Sequence, residues 1–118
     1  MPSYFPRDIQ WPPSEVIAAS RPSKFIVMEF LDRLRGDVSM IIMQGGPYLP
    51  PLDEKMKFKA VEKTKYALKG RNAVLELGTC KEEKCSRIYW NEDKNRKISI
   101  LMKAPPVELI KVAESIVK

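Results

Sequence analysis

The sequence predicts an α/β domain. The expected architecture is a two-layer β-α-β-α-β-β sheet with helices on one face, a long basic β-hairpin arm and an extra C-terminal helix. Three observations lead there. Between residues 23 and 35, Phe25, Met28 and Leu31, the Ile26/Phe30 pair and Leu34 recur at three- and four-residue spacing. Residues 38–43 form an unbroken apolar run of strand length. Residues 72–102 place apolar stretches on either side of a polar, lysine-rich centre.

The elements follow in order. Pro2, Pro6, Pro12 and Pro13 forbid a regular element over 1–13, which reads as an irregular arm. Its aromatics Tyr4, Phe5 and Trp11 could pack the arm onto the body or stack on bases. SEVIAAS (14–20) is a short β-branched and small-residue strand. Pro22 suits a first helical turn, with Ser20 or Ser23 as cap, and Gly36 ends that helix near 35. VSMIIM is the second strand. Gly45-Gly46-Pro47 breaks it, and a Pro-rich loop follows. A second helix is expected over 57–69, with Phe58, Val61 and Leu68 on one face and Gly70 as its stop. Strands at 72–79 and 98–102 flank the hairpin, and Ser86–Trp90 forms part of its arm. Pro105-Pro106 introduces a terminal helix over 107–117. The organisation is an arm at 1–13, a domain at 14–103 and a helix at 104–118.

At 118 residues the chain is expected to be one domain. So short a chain buries limited area, which favours a dimer, either with itself or with a related chain. The formal charge is +6, and it is uneven. Residues 55–103 carry 14 Lys and Arg against 6 Asp and Glu, a net of +8, so a polyanion-binding surface would lie in the second half. There is no His, hence neither the usual general base nor the commonest metal ligand. The scarcity of Gln (Gln10, Gln44) beside abundant Lys and Glu leans towards a thermophile. No apolar run approaches the ~20 residues of a membrane span, and no signal peptide is visible. A cytoplasmic chain is expected, associated with the nucleoid if the source is prokaryotic.

An order of residues then suggests a family. SEVIAASRP, running without a gap through KFIVMEFLDRLRGDVSMIIM, then KAVEKTKYAL (59–68), LELGT and ISILMK, resembles the Alba-type archaeal chromatin and RNA-binding proteins over about residues 14–103. The resemblance implies a dimeric, non-enzymatic nucleic-acid-binding domain without cofactor. Two family features are missing. Gln44-Gly45-Gly46-Pro47 replaces a basic-Gly-basic segment, and no aromatic stands at 69–72.

Phosphates are held by Lys and Arg spread over a surface, without catalytic geometry. In the implied fold Arg21 and Lys24 stand at the first helix N-terminus, where backbone N–H groups favour an anion; the plainer reading is solvated side chains. Lys59 and Lys63 on the second helix would add to this surface. Lys81, Lys84, Arg87, Lys94, Arg96 and Lys97 lie in or beside the hairpin arm, which could enter a groove. They could equally serve solubility and ion pairing with Glu82, Glu83, Glu92 and Asp93. Tyr89 and Trp90 could stack on unpaired bases or pack across strands. Cys80 and Cys85 bracket four residues. Two Cys without His leave half a zinc site empty, so no metal is expected. A disulfide stiffening the arm and a pair of free thiols both remain open.

The expected function is largely sequence-independent binding of DNA or RNA, with no small-molecule substrate and no membrane partner. Two other readings compete. One is a protein–protein module docking through the 1–13 arm and the terminal helix. The other is a winged-helix regulator using 57–69 as its recognition helix. No phosphate-loop pattern follows Gly45-Gly46, and Asp53-Glu54 are adjacent loop acids, so no enzyme is expected.

Overall fold

The computed structural model describes residues 9–11, 13–19, 25–45, 56–93 and 96–117. Its elements are β1 (Glu15–Ala19), β2 (Phe25–Leu31), β3 (Val38–Gly45), β4 (Phe58–Leu68), β5 (Arg71–Cys80), β6 (Glu83–Asp93), β7 (Arg96–Met102) and α1 (Pro106–Ile116). All seven strands join one sheet in the order β1-β2-β3-β7-β6-β5-β4, and every pairing is antiparallel. This overturns the predicted α/β class. Among the described residues, two of the three expected helices are strands, and no pair of neighbouring strands is parallel.

The first correction is at 23–35. Phe25, Val27 and Glu29 face one side of β2, while Met28 and Phe30 face the other. Both sides of this strand are covered, so both carry apolar residues, and the hydrophobic pattern loses its period of two. Gly36 does not end a helix. It lies in the β2–β3 turn, where the Asp32 side chain accepts from the N–H groups of Leu34 (2.8 Å) and Arg35 (3.0 Å). β-Branched and aromatic residues in FIVMEFL favour the extended form.

The second correction is at 57–69. β4 is an edge strand and mostly exposed on both sides. A strand with nothing to bury carries no hydrophobic alternation, and its chance three-residue spacings imitate a helix. Val61, one of those spaced residues, sits at a bulge between Ala60 and Glu62 and is 81% exposed. Lys69 and Gly70 both take positive φ, 47° and 84°, as a two-residue hairpin turn needs. Gly78 answers the bulge from β5: a Cβ there would run into the Lys59 carbonyl and lie 2.9 Å from the Ala60 Cα. The lysines along this edge discourage further strand pairing.

The third correction concerns the arm. Residues 72–93 and 96–102 do not project. They lie in β5, β6 and β7 in the body of the sheet, with Ile88, Trp90, Ile98 and Ile100 buried. Residues 94–95 of the expected arm lie outside the described residues.

The sheet has two faces, and both help form the core. On the first face, Phe30, Met40, Ile42, Ile88, Trp90, Ile98, Ile100 and Met102 pack with Leu109, Val112 and Ala113 of α1. Pro106 opens that helix, as the sequence predicts, and Glu108 in its first turn complements the dipole. Ile9 joins this cluster, and Trp11 stacks on Phe30 at 6.1 Å between ring centres. Tyr4 and Phe5 lie outside the described residues. On the second face a smaller cluster gathers Val27, Ile41, Met43, Met56 and Leu101 around Cys80 and Cys85. Those cysteines are joined by a disulfide, with Cα atoms 5.7 Å apart. It runs diagonally, since Cys80 pairs in register with Glu83 and Cys85 with Gly78.

Candidate functional site

The second face is not uniform. Residues opposite one another in an antiparallel sheet share a face. One row across the sheet therefore reads Lys63, Glu76, Arg87, Leu101, Ile41, Glu29, Glu15 from β4 to β1. The next row reads Lys65, Val74, Tyr89, Ser99, Met43, Val27, Ile17. From β7 towards β2 these rows are buried, with Leu101, Ile41, Met43 and Val27 apolar and Ser99 and Glu29 polar. Over β4, β5 and β6 they are more open and carry Lys63, Lys65 and Arg87, with the acid Glu76 buried between them.

Tyr89 is the centre of the open half. Three cations surround its ring: Lys97 Nζ at 4.6 Å from the centroid, Arg87 Cζ at 5.6 Å and Lys63 Nζ at 6.0 Å. Arg87 also lies 5.4 Å from the Phe58 ring and donates from Nε to Glu76 Oε1 at 2.7 Å. Glu76 is buried, and that ion pair holds the guanidinium in place.

Arginine and lysine divide the work. Each arginine in the described segments is committed. Arg33 donates to the Ile9 carbonyl, Arg35 pairs with Glu83, Arg71 and Arg96 with Glu92, and Arg87 with Glu76. Lys63, Lys65 and Lys97 have no acidic partner among the described residues. Arginine's planar fork suits fixed ion pairs, whereas these three lysines are point charges outside any ion pair among the described residues.

The other charged centre is structural. Lys103 Nζ reaches Asp37 Oδ2 at 3.0 Å and Glu83 at 3.9 Å, and Arg35 binds Glu83. This network ties the β2–β3 turn to the start of β6. The hydrogen bond from Lys103 holds Asp37 below the usual carboxylate range, and that from Arg35 does the same for Glu83. Burial pushes Glu92 up, but hydrogen bonds from Trp90 and Arg71 outweigh it, so its pKa too is lowered.

The structure brings together only part of the predicted site. Lys63, Arg87, Lys97 and Tyr89 converge. Arg21, Lys24 and Lys94 lie outside the described residues. Lys59 and Lys84 flank Thr79 on the opposite face. Lys81 sits in the β5–β6 turn with φ 59°, and Arg96 lies 3.8 Å from Glu92. Trp90 is no stacking platform: it is buried on the helix side, and its Nε1 donates to Glu92 Oε1 at 2.7 Å. Lys65 and Phe58 belong to the patch and were not among the predicted contacts. The alternation Lys63, Lys65 was the available signal, hidden once the segment was read as a helix.

No group of His, Cys, Asp or Glu among the described residues could hold a metal ion, and no described helix is long and apolar enough to cross a membrane. Comparison with family models, curated proteins and solved structures gives no match to this chain.

Proposed function

We propose that the protein binds DNA or RNA through the Tyr89 face, mainly by phosphate contacts and with little sequence preference. One observation carries this reading: Lys63 and Lys97 converge on one ring, and neither forms an ion pair with an acid among the described residues. Phosphates need cations at a surface and no catalytic geometry, which is what this face offers. The net charge of +6 adds a long-range attraction. The reading does not draw on the Alba-type resemblance, whose implied fold differs from the one observed.

Fluorescence anisotropy with a labelled oligonucleotide tests it. Three lysine contacts on a single strand give a log–log salt slope near about −2, a loss of ~20-fold between 50 and 200 mM salt. The double charge reversal K63E/K97E should remove detectable binding at moderate salt. A flat salt response, or full affinity in the double variant, would sink the proposal. The winged-helix alternative has lost its recognition helix, because 58–68 is an edge strand.

A further inference from the structure

Resting on that reading, we infer that the preferred ligand is single-stranded, with one unpaired base stacked on Tyr89 and its flanking phosphates on lysines to either side. The placement of the ring argues for it. Tyr89 does not stand on a projecting element. It lies within a row of a seven-stranded sheet, flanked in register by Val74 and Ser99. Strands are spaced ~4.8 Å apart, so this sheet is roughly 30 Å across, against ~12 Å for the major groove of duplex DNA. A surface of that breadth cannot carry a central phenol to base edges inside a groove. A splayed single strand can lay a base flat on it.

The charges sit where such a strand needs them. β7 is one strand from Tyr89 and β4 is two strands away on the other side. Lys97 therefore stands on one flank of the ring, and Lys63 with Lys65 on the other. A chain crossing the strands meets lysine, ring and lysine in turn. Arg87 plays a different part. Held by buried Glu76 and lying 5.4 Å from the Phe58 ring, it is a positioning residue that packs against Tyr89 at 5.6 Å from the ring centroid.

In the free protein Lys97 lies over the ring at 4.6 Å. Binding exchanges that contact for a stacked base and sends the ammonium to a phosphate. The exchange is favourable, because a stacked base contributes more than an exposed cation–π contact. With Trp90 turned inward, Tyr89 offers a platform for one base and hence little sequence selection.

The test compares single-stranded DNA and RNA 12-mers with a duplex of the same sequence, for the native protein, Tyr89→Ala and Tyr89→Phe. Expected is a preference of at least ~10-fold for single strands. Y89A should weaken single-strand binding by roughly 5- to 150-fold and duplex binding by clearly less; Y89F should retain affinity. An oligonucleotide whose bases are replaced by abasic linkers should bind native protein as poorly as the intact strand binds Y89A, a measurement independent of how that variant folds. Equal affinity for duplex and single strand, or an abasic ligand that binds as well as the intact one, would overturn the inference and leave phosphate binding standing. Binding to none of these ligands would overturn the parent reading as well.

Discussion

Tyr89 and Trp90 are neighbours in β6, yet they belong to different chemical worlds. Trp90 is 2% exposed beneath α1, with its indole N–H given to Glu92. Tyr89 faces the other way, among three cations. The contrast runs along the strand: Ile88 and Ser86 are on the side of Trp90, Arg87 and Cys85 on that of Tyr89. One face of the sheet is spent on packing against a helix. The other is divided between a small buried cluster and an open basic field. The lesson is that adjacent aromatics in a strand cannot serve one ligand surface, because successive side chains point to opposite faces.

The sharpest way to break this comparison is truncation at each position. Trp90→Ala should lower unfolding free energy by about 3–5 kcal/mol, as a large buried side chain leaves a cavity. Tyr89→Ala should cost about 1 kcal/mol or less, since it removes only partly covered surface. Urea denaturation of the two variants checks this, and equal losses would mean that Tyr89 is core after all.

The disulfide lies in the buried part of the second face. Its loop is short, so C80A/C85A should lose about 2 kcal/mol by chain entropy, less than the tryptophan. Mass spectrometry after alkylation without reduction should find neither thiol modified; two modified thiols would remove the crosslink from the description. Because the cysteines lie beside Met56 and Leu101 rather than beside Tyr89 in register, nucleic-acid affinity should survive their replacement.

The smallest effect expected is electrostatic. Asp37, Glu83 and Glu92 all have lowered pKa values in the folded protein. The unfolded chain therefore takes up protons first as pH falls. Stability from these groups is fully present above the ordinary carboxylate pKa of about 4 and is lost as pH drops through the lower folded values. The Asp37–Lys103 pair is partly exposed, so its share is small. A urea midpoint that is level above about pH 5 and falls below about pH 4 is expected, with a slightly shallower acid limb in Asp37→Asn. An acid limb identical to the native one would show that the Asp37–Lys103 pair adds nothing.

Several elements were legible in the residues. β-Branched runs mark β1 and β3, Pro105-Pro106 marks the start of α1, and the apolar ends of 72–102 mark β5 and β7. The two misread segments fail for opposite reasons. β2 is covered on both faces, and β4 is open on both. Period-two alternation arises only when one face is buried and the other is not, so neither strand displays it. With β4 taken for a helix, Lys63 and Lys65 could not be placed beside Tyr89.

The sequence by itself determined that this chain is basic in its second half, lacks histidine, and alternates Arg87, Tyr89 with Ile88, Trp90 in a segment suited to a strand. Those follow from composition and local stereochemistry. Only the tertiary structure decided which of the pair Tyr89 and Trp90 would meet solvent, and that lysines 26 residues away on one side and 8 on the other would flank it. Side-chain direction is a local property of the strand. Which face α1 covers, and which strands stand next to β6, depend on long-range pairing that no local pattern encodes.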